Sequence, residues 1–448
     1  MRLVGPACVF GREAGRGFSA LVLTGAAVGG LFCLGVHAGG ASAASRPGKP
    51  PAFLRSCKIE PPDLEPLLPK LSSVSRSASD ANDEDDDEDA DTEDEEEDDD
   101  PPPSGFVSPG LGNCIAVSGT VNAGLQRDDF RGNVLARAAG LVPQSTTSFP
   151  LSTTLRIDTG QSLANGQYLA TAFEFSFDTN SEGGTDVTIG EASVTLGAFS
   201  AGLASSRFDF WTGDEFAFMG RIPSRTVALI GYERPLTDQL SLSLSAEDVS
   251  ADQRVPLAAA GRRLPDGVVR LVYEGDALTL HGAVAMRELP RIGDSSLSGR
   301  AAIIGATWEG SVLDRSFTLS AQIAGAVNAA PYIGSQLDRR TVLSLLTGDP
   351  STRGWSGVVS TGWEWTEEWS SNAYVSRYDL SLPRIGAITG KIRIDRAAAN
   401  LIWTPVKGLR LGLEGSVAWQ RIAITGLPAA AAFSGRQNSA QVFIERTF

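Results

Sequence analysis

The sequence predicts an all-β fold: a transmembrane antiparallel β-barrel of about sixteen strands, preceded by a disordered acidic N-terminal leader. Three observations point there. The stretch from Cys114 to Gln126 alternates strictly between an apolar and a polar face. The same alternation recurs to the last residue, and the chain opens on an export signal and ends on an aromatic.

In the first of these strands, Ile115, Val117, Gly119, Val121, Ala123 and Leu125 share one parity. Ala116, Ser118, Thr120, Asn122, Gly124 and Gln126 share the other. Period-2 alternation describes a strand with one greasy and one wet face. The run exceeds the usual strand of about five or six residues and suits the roughly 9–11 residues with which a tilted strand crosses a bilayer.

Before it come segments with other tasks. Arg2, Arg12 and Arg16 precede an apolar run from Phe18 to about Val36, and Ala41-Ser42-Ala43-Ala44 supplies a small-residue cleavage site. Residues 1–43 are therefore expected to be a secretory signal peptide, with a retained anchor as the rival. Residues 44–113 form a Pro-rich and acidic leader in which the acidic run, residues 80–100, holds 17 acidic side chains and no Lys or Arg. Such a block repels itself and is expected to be a disordered, solvated spacer, with cation or basic-partner binding as the alternative. Without it the net charge of −15 becomes 36 acidic against 38 basic residues, so nothing suggests a nucleic-acid partner. Cleavage would remove Cys8 and Cys33, leaving Cys57 and Cys114 in an oxidising compartment. A disulfide between them is expected, with two separate thiols as the alternative.

Residues 114–448 are the barrel, and no apolar run in them is long enough for a membrane helix. Leu151, Thr153, Leu155 and Ile157 face away from Arg156 and Asp158. Leu169, Phe173, Phe175 and Phe177 oppose Glu174 and Asp178; Leu278, Leu280, Val284 and Met286 alternate with Thr279 and His281. Phe317, Leu319, Ala321 and Ile323 oppose Thr318, Ser320 and Gln322, and Leu409, Leu411, Leu413, Val417 and Trp419 oppose Arg410, Glu414, Ser416 and Gln420. About sixteen such strands fit the length, fourteen or eighteen being the neighbouring counts. Charges at mid-strand (Arg156, Glu174, Arg410, Glu414) would be ruinous in a dry sandwich core, whereas a water-filled lumen wall solvates them. Trp355, Trp363, Trp365, Trp369, Tyr374, Trp403 and Trp419 fall near strand ends, where interfacial aromatic girdles are expected.

Enzyme chemistry finds little support, and no enzyme activity is expected. After signal cleavage the one remaining His is His281, on the polar parity of a strand. A Ser-His-Asp site would depend on it alone. No Cys/His spacing suits a metal, and no cofactor is called for.

The stretch GFVSPGLGNCIAVSGTV (Gly105 to Val121) resembles the start of the alphaproteobacterial, Hyphomicrobiales-type outer-membrane porins, in which a Cys leads into the first strand and a second Cys lies upstream, as Cys57 does here. The resemblance continues through Leu155 to Phe177, Glu191 to Trp211, Leu242 to Val249 and Asn400 to Val417, and ends at IERTF. Phe448 matches the family's aromatic assembly signal, while Arg446 stands where an apolar residue is usual. The resemblance implies a homotrimer in the outer membrane of a Gram-negative bacterium, embedded among outer-membrane lipid and lipopolysaccharide. It also implies delivery by the barrel assembly machinery, with the leader and C-terminus on the periplasmic side.

It further implies a third loop folded into the lumen as the pore constriction. By position that loop runs from Phe208 to about Arg225, with Asp209, Asp214 and Glu215 as candidate acids and Arg207, Arg221 and Arg225 as candidate bases. Opposed charges across a narrow aperture set a transverse field that tunes ion selectivity. The segment is short for a wide lumen, so a larger or differently built aperture is expected. The implied function is passive diffusion of ions and small hydrophilic solutes through a water-filled channel. The alternative is a structural or adhesive barrel plugged by the leader or by the loop from Pro331 to Pro350.

Overall fold

The computed structural model describes residues 56–59, 104–107, 113–179, 184–248, 264–290, 296–334, 352–382, 384, 386–426 and 431–448. The expected signal peptide and the acidic run lie outside them. Two short strands, β1 (Ser56–Lys58) and β2 (Ser104–Val107), precede the long β3 (Cys114–Gly132), a five-residue helix α1 (Val134–Ala138) and β4 (Thr146–Ser148). There follow β5 (Leu151–Ser162), β6 (Tyr168–Thr179), β7 (Thr185–Leu196), β8 (Phe199–Ser205), β9 (Thr226–Pro235), β10 (Leu240–Asp248), β11 (Asp266–Glu274) and β12 (Leu278–Pro290). The chain ends with β13 (Ser296–Val312), β14 (Arg315–Val327), β15 (Arg353–Glu364), β16 (Trp369–Ser381), β17 (Thr389–Val406), β18 (Leu409–Thr425) and β19 (Ala431–Thr447).

Each strand from β5 onward pairs antiparallel with the next, β3 pairs with β5, and β19 returns to β3, closing a barrel of sixteen strands. Closure leaves no open edge among the sixteen barrel strands, as a bilayer requires. The seam runs from Thr447↔Thr120 to Gly435↔Gly132 and is locked at one end by mutual backbone bonds of 3.0 Å between Gly119 and Phe448. Beside that end, β1 and β2 form an antiparallel pair on the start of β3, and a disulfide joins Cys57 to Cys114 with Cα atoms 5.8 Å apart.

The two rims differ. At the rim holding Cys114 and Phe448 the connections are short. Between β13 and β14, Leu313 and Asp314 (φ 57° and 56°) make the two-residue turn whose twist matches antiparallel strands. The opposite rim carries the longer connections, including residues 206–225 between β8 and β9.

The apolar parity faces outward. Val117, Val121, Leu125, Leu280, Ile304, Ile323, Val359, Leu413 and Val442 are all exposed, as side chains awaiting lipid should be. Trp308, Phe317, Trp363, Trp365, Trp369 and Trp403 form a belt near the short-turn rim. Rings lie 5.0 Å apart for Phe317–Trp363 and 5.1 Å for Trp363–Trp365. Tyr374, expected in the girdle, is not there: it lies on the inward parity of β16, buried against Phe216. No helix among the described residues is long and apolar enough to cross a membrane.

Candidate channel constriction

The loop of residues 206–225 folds inward and lies along one half of the inner wall. Its base is a buried polar knot. Ser206 N–H donates to Arg225 O at 2.9 Å, and Glu247, fully buried on β10, accepts from Ser206 Oγ (2.8 Å) and Arg207 N–H (2.9 Å). Arg225 N–H donates to Asp209 Oδ2 at 2.5 Å, and the Arg225 guanidinium lies 4.0 Å above the Tyr332 ring. Burial pushes the Asp209 carboxyl up to about 7, against the pull of Arg225.

Tyr332 belongs to a one-turn 3-10 helix (Ala330–Ile333) after β14 that also turns into the barrel, and its hydroxyl donates to Asp266 Oδ2 at 3.1 Å. Gly334 closes that turn at φ 84°, with its backbone so close to Ile222 that a Cβ would sit 2.5 Å from the Ile222 oxygen. Residues 335–350 of the suggested plug fall outside the described residues.

From its base the loop runs along the wall, held by side chains on successive strands. His281 on β12 bonds Phe208 O at 3.2 Å and stacks on Phe210 at 5.0 Å between centroids. Phe210 continues over Gly305 on β13, where any Cβ would lie 2.3 Å from the ring. Gln322 on β14 accepts from Trp211 N–H at 3.0 Å, and Asn400 on β17 donates to Glu215 O at 2.7 Å. Glu414 on β18 accepts from both Ala217 and Phe218 N–H at 2.8 Å each, and the Tyr374 hydroxyl donates to Phe218 O. Apolar packing fills the gaps. Phe208, Tyr332 and Ile333 cover Ala283, Ala285, Ala301, Ile303, Ala324 and Ala326, while Trp211 and Phe216 pack on Val358, Tyr374 and Ala398.

The six loop residues singled out from sequence therefore separate. Asp209 and Arg225 are buried in the base. Arg207 is half-buried and pairs with Glu233 on β9 at 3.2 Å, while Glu233 also takes Arg270 at 2.8 Å. Arg221 is partly buried, its guanidinium pKa drawn down by that burial. Asp214 and Glu215 are exposed at the tip, Asp214 accepting from Thr212 Oγ1 at 2.7 Å.

The four wall residues separate too. Arg156 on β5 gathers Asp158 (2.9 Å), Glu174 (3.3 Å) and Glu191 (2.9 Å) into a half-buried cluster on the wall the loop leaves open. Arg410 pairs with Glu445 at 3.0 Å, which also accepts from Asn122 at 3.0 Å. Glu414 faces inward but is sealed beneath the loop. His281, Gln322, Asn400 and Tyr374, which hold the loop, all lie on inward parities; the alternation marks His281 and Gln322 as inward polar residues, whereas nothing local in the sequence marks Asn400 or Tyr374 as anchors. Among the described residues no group of three or more His, Cys, Asp or Glu is placed to hold a metal ion.

What the arrangement can do follows from its asymmetry. One half of the inner wall is upholstered by the loop, and the other half, on β3 and β5–β8, keeps its charged and polar side chains. A passage bounded on one side by Asp214 and Glu215 and on the other by the Arg156 cluster would be charged on both sides.

Known proteins share this architecture. The outer membrane channel DcaP of Acinetobacter baumannii is similar over 77% of this chain and 99% of its own, with a TM-score of 0.62 at 16% identity. The anion-selective porin from Comamonas acidovorans is similar over 75% of this chain and 100% of its own, with a TM-score of 0.50 at 13% identity. At these identities the likeness is one of fold. No curated protein matches the sequence. The family model described as "Porin subfamily" matches residues 104–433, most of the barrel and nearly three-quarters of the chain, and the chain thus belongs to the porin subfamily.

Proposed function

We propose that this porin forms a water-filled outer-membrane channel for passive diffusion of ions and small hydrophilic solutes, without cofactor or catalysis. The observation that carries the reading is the loop 206–225 docked on one half of the inner wall while charged side chains line the other half. Asp214, Glu215, Arg207 and Arg221 would set the field at the aperture, with Asp209 and Arg225 holding the loop in place. Arg156, Glu174 and Arg410 would line the wall.

The remaining assignments belong to the same proposal. Residues 1–43 would be removed on export, residues 44–113 would form the leader and residues 114–448 the barrel. Short turns mark the periplasmic rim of such barrels and long loops the outer one, which would place the leader and C-terminus in the periplasm. Phe448 would present the last strand to the assembly machinery. The sequence resemblance supports a homotrimer and an alphaproteobacterial lineage.

Single-channel recording of the refolded mature chain in a planar bilayer tests the function, with reversal potentials taken under a salt gradient. Stepwise conductance closing in triplets supports an open trimeric channel. A folded but silent barrel would instead support the plugged, structural reading, which the inward-turned Ala330–Ile333 segment favours. Labelling of an Ala138→Cys variant on intact cells with a membrane-impermeant maleimide tests the orientation, since Ala138 is exposed on the long-loop rim.

A further inference from the structure

Among the described residues of the inner wall and the loop, most arginines are matched by an acid. Arg156, Arg207, Arg225, Arg270, Arg287 and Arg410 each meet a carboxylate at 2.8–3.8 Å. Arg221 on the loop and Arg396 on β17 are left over. Both are half-buried, and among the described residues no carboxylate lies at ion-pairing distance from either. Burial draws the Arg221 guanidinium down, Tyr378 opposes that, and the charge of Arg396 adds to it, so the two cations feel each other.

The fold forces this meeting. Gly220 crosses β16 at Ser376, so closely that a Cβ would lie 2.4 Å from Ser376 Oγ, and Ser376 is the register partner of Arg396. On the other side of Arg221, Ile222 is held against the Gly334 backbone. Arg221 is therefore clamped through both neighbours, which fixes its backbone beside β16. Across β17–β18, Arg396 stands opposite the small Ala418. Gln420, the next inward residue of β18, has its Nε2 buried without a hydrogen-bond partner. Diagonal neighbours on a sheet lie about 7–8 Å apart, within reach of long side chains, so Gln420 adds a third donor to the patch.

The surroundings are neutral or already engaged. The Tyr374 hydroxyl, within hydrogen-bonding reach of Arg396, is a neutral acceptor that itself donates to Phe218 O. Glu414 feels the charge of Arg396, but its two oxygens accept the Ala217 and Phe218 amides. Even with Glu414 counted, the patch keeps one unmatched positive charge. Like charges held together at a half-buried site repel, and an anion between them turns that cost into attraction.

Position along the wall suits a passing solute. Asn400 holds the loop tip through Glu215 O, and Arg396 lies four residues nearer the long-loop rim on the same inward parity. Four residues at about 3.3 Å each, tilted by about 40°, put the patch about 10 Å beyond that tip contact.

We propose that Arg221, Arg396 and Gln420 form a subsite for the oxyanion group, phosphate or carboxylate, of small organic solutes in transit. The two guanidinium forks would take the oxygens, and the Gln420 amide would donate to the same group. The channel would then favour organic anions over neutral solutes of the same size by transient binding, beyond the effect of a diffuse field. The subsite rests on the open-channel reading given above.

The test records ion current through the full mature protein in planar bilayers while solute is added. Glycerol 3-phosphate, glycerate and glycerol share one carbon skeleton and differ in the group at its end. Both anions are expected to reduce the current saturably, and the one acting at lower concentration names the preferred group. Glycerol should show no saturable effect. In Arg221→Gln/Arg396→Gln the half-blocking concentration of the anions should rise at least about tenfold, and in Gln420→Ala by a smaller factor. Arg396→Lys, which keeps the charge and loses the fork, should fall between the wild type and the double variant.

An unchanged half-blocking concentration in the double variant would overturn the subsite. A shifted reversal potential with unchanged block would overturn it too, by reducing the arginines to a source of field. Saturable block by glycerol equal to that by the anions would overturn the oxyanion assignment. If the double variant does not insert, wild-type block in both Arg396→Lys and Gln420→Ala refutes the site. A silent wild-type barrel would refute the open-channel reading and the subsite with it, whereas a conducting wild type indifferent to both anions refutes the subsite alone.

Discussion

Glu414 is where the docked loop is most open to test. Its two carboxylate oxygens each accept one loop N–H, from Ala217 and Phe218, at 2.8 Å, and the side chain is 1% exposed. Replacing it by Ala removes both acceptors and leaves two amides without partners. At about 1.5–3 kcal/mol for each hydrogen bond to a charged group, the docked tip should lose about 3–6 kcal/mol. Converted at 1.4 kcal/mol per tenfold, even the lower end is a shift of more than a hundredfold toward the undocked tip. The contacts at Gln322, Asn400 and Tyr374 and the knot at Glu247 are untouched, so the barrel itself should assemble. Hydrogen exchange at Ala217 and Phe218 is expected to accelerate by two orders of magnitude or more, roughly tracking that equilibrium. In planar bilayers the variant should show a noisier channel of altered conductance. Wild-type exchange at both amides together with wild-type conductance would refute the assignment of Glu414 as the clasp of the constriction.

Three further outcomes are expected. Asp214→Asn/Glu215→Gln should move the reversal potential under a salt gradient toward anions, leaving the unfolding temperature unchanged, because both side chains are exposed; an unmoved reversal potential would place the aperture elsewhere. Asp209 holds its proton up to about 7 in the fold against an ordinary 3.8, so between those values the folded state binds more protons than the unfolded one. Stability from this group is therefore greatest below 3.8, falls as pH rises toward 7 and levels off above, by at most about 4 kcal/mol. Unfolding temperatures of Asp209→Asn, which keeps an acceptor for Arg225 N–H, should lack that slope, and persistence of the slope would assign it to another group. Deleting residues 80–100 should preserve the heat-modifiable folded band and change at most cation preference; loss of the band would show the acidic run to be more than a spacer.

Much of this barrel was legible because the bilayer imposes a simple rule on sequence: outward residues must be apolar at every second position. Val117, Val121 and Leu125 declare it in β3, and Leu409 to Trp419 declare it in β18. The disulfide followed from the two cysteines expected to survive export. The inner face obeys no such rule, and there the reading was poorer. Tyr374 looked like a girdle aromatic because distance from a strand end is visible in sequence while its role as a lid over Phe216 depends on a loop some 160 residues away. Glu414 looked like a water-facing charge for the same reason. The brevity of residues 206–225 suggested a larger or differently built aperture. The segment spans β12 to β18 by running along the wall, its aromatics packed on small Ala and Gly side chains.

The seam between β3 and β19 bears on how the molecule comes into being. Its side-chain bond from Asn122 to Glu445 joins residues 323 positions apart, so the seam cannot close until the whole chain has been made and exported. Until then β3 would present a long, unpaired, half-apolar edge, the kind of surface that recruits strands from other chains. The paired β1–β2 segment, tied to β3 through Cys57 and Cys114, already covers the first two residues of that edge. Formed before the seam closes, a small cap of this sort would shorten the exposed template while the nascent barrel is most prone to aggregate.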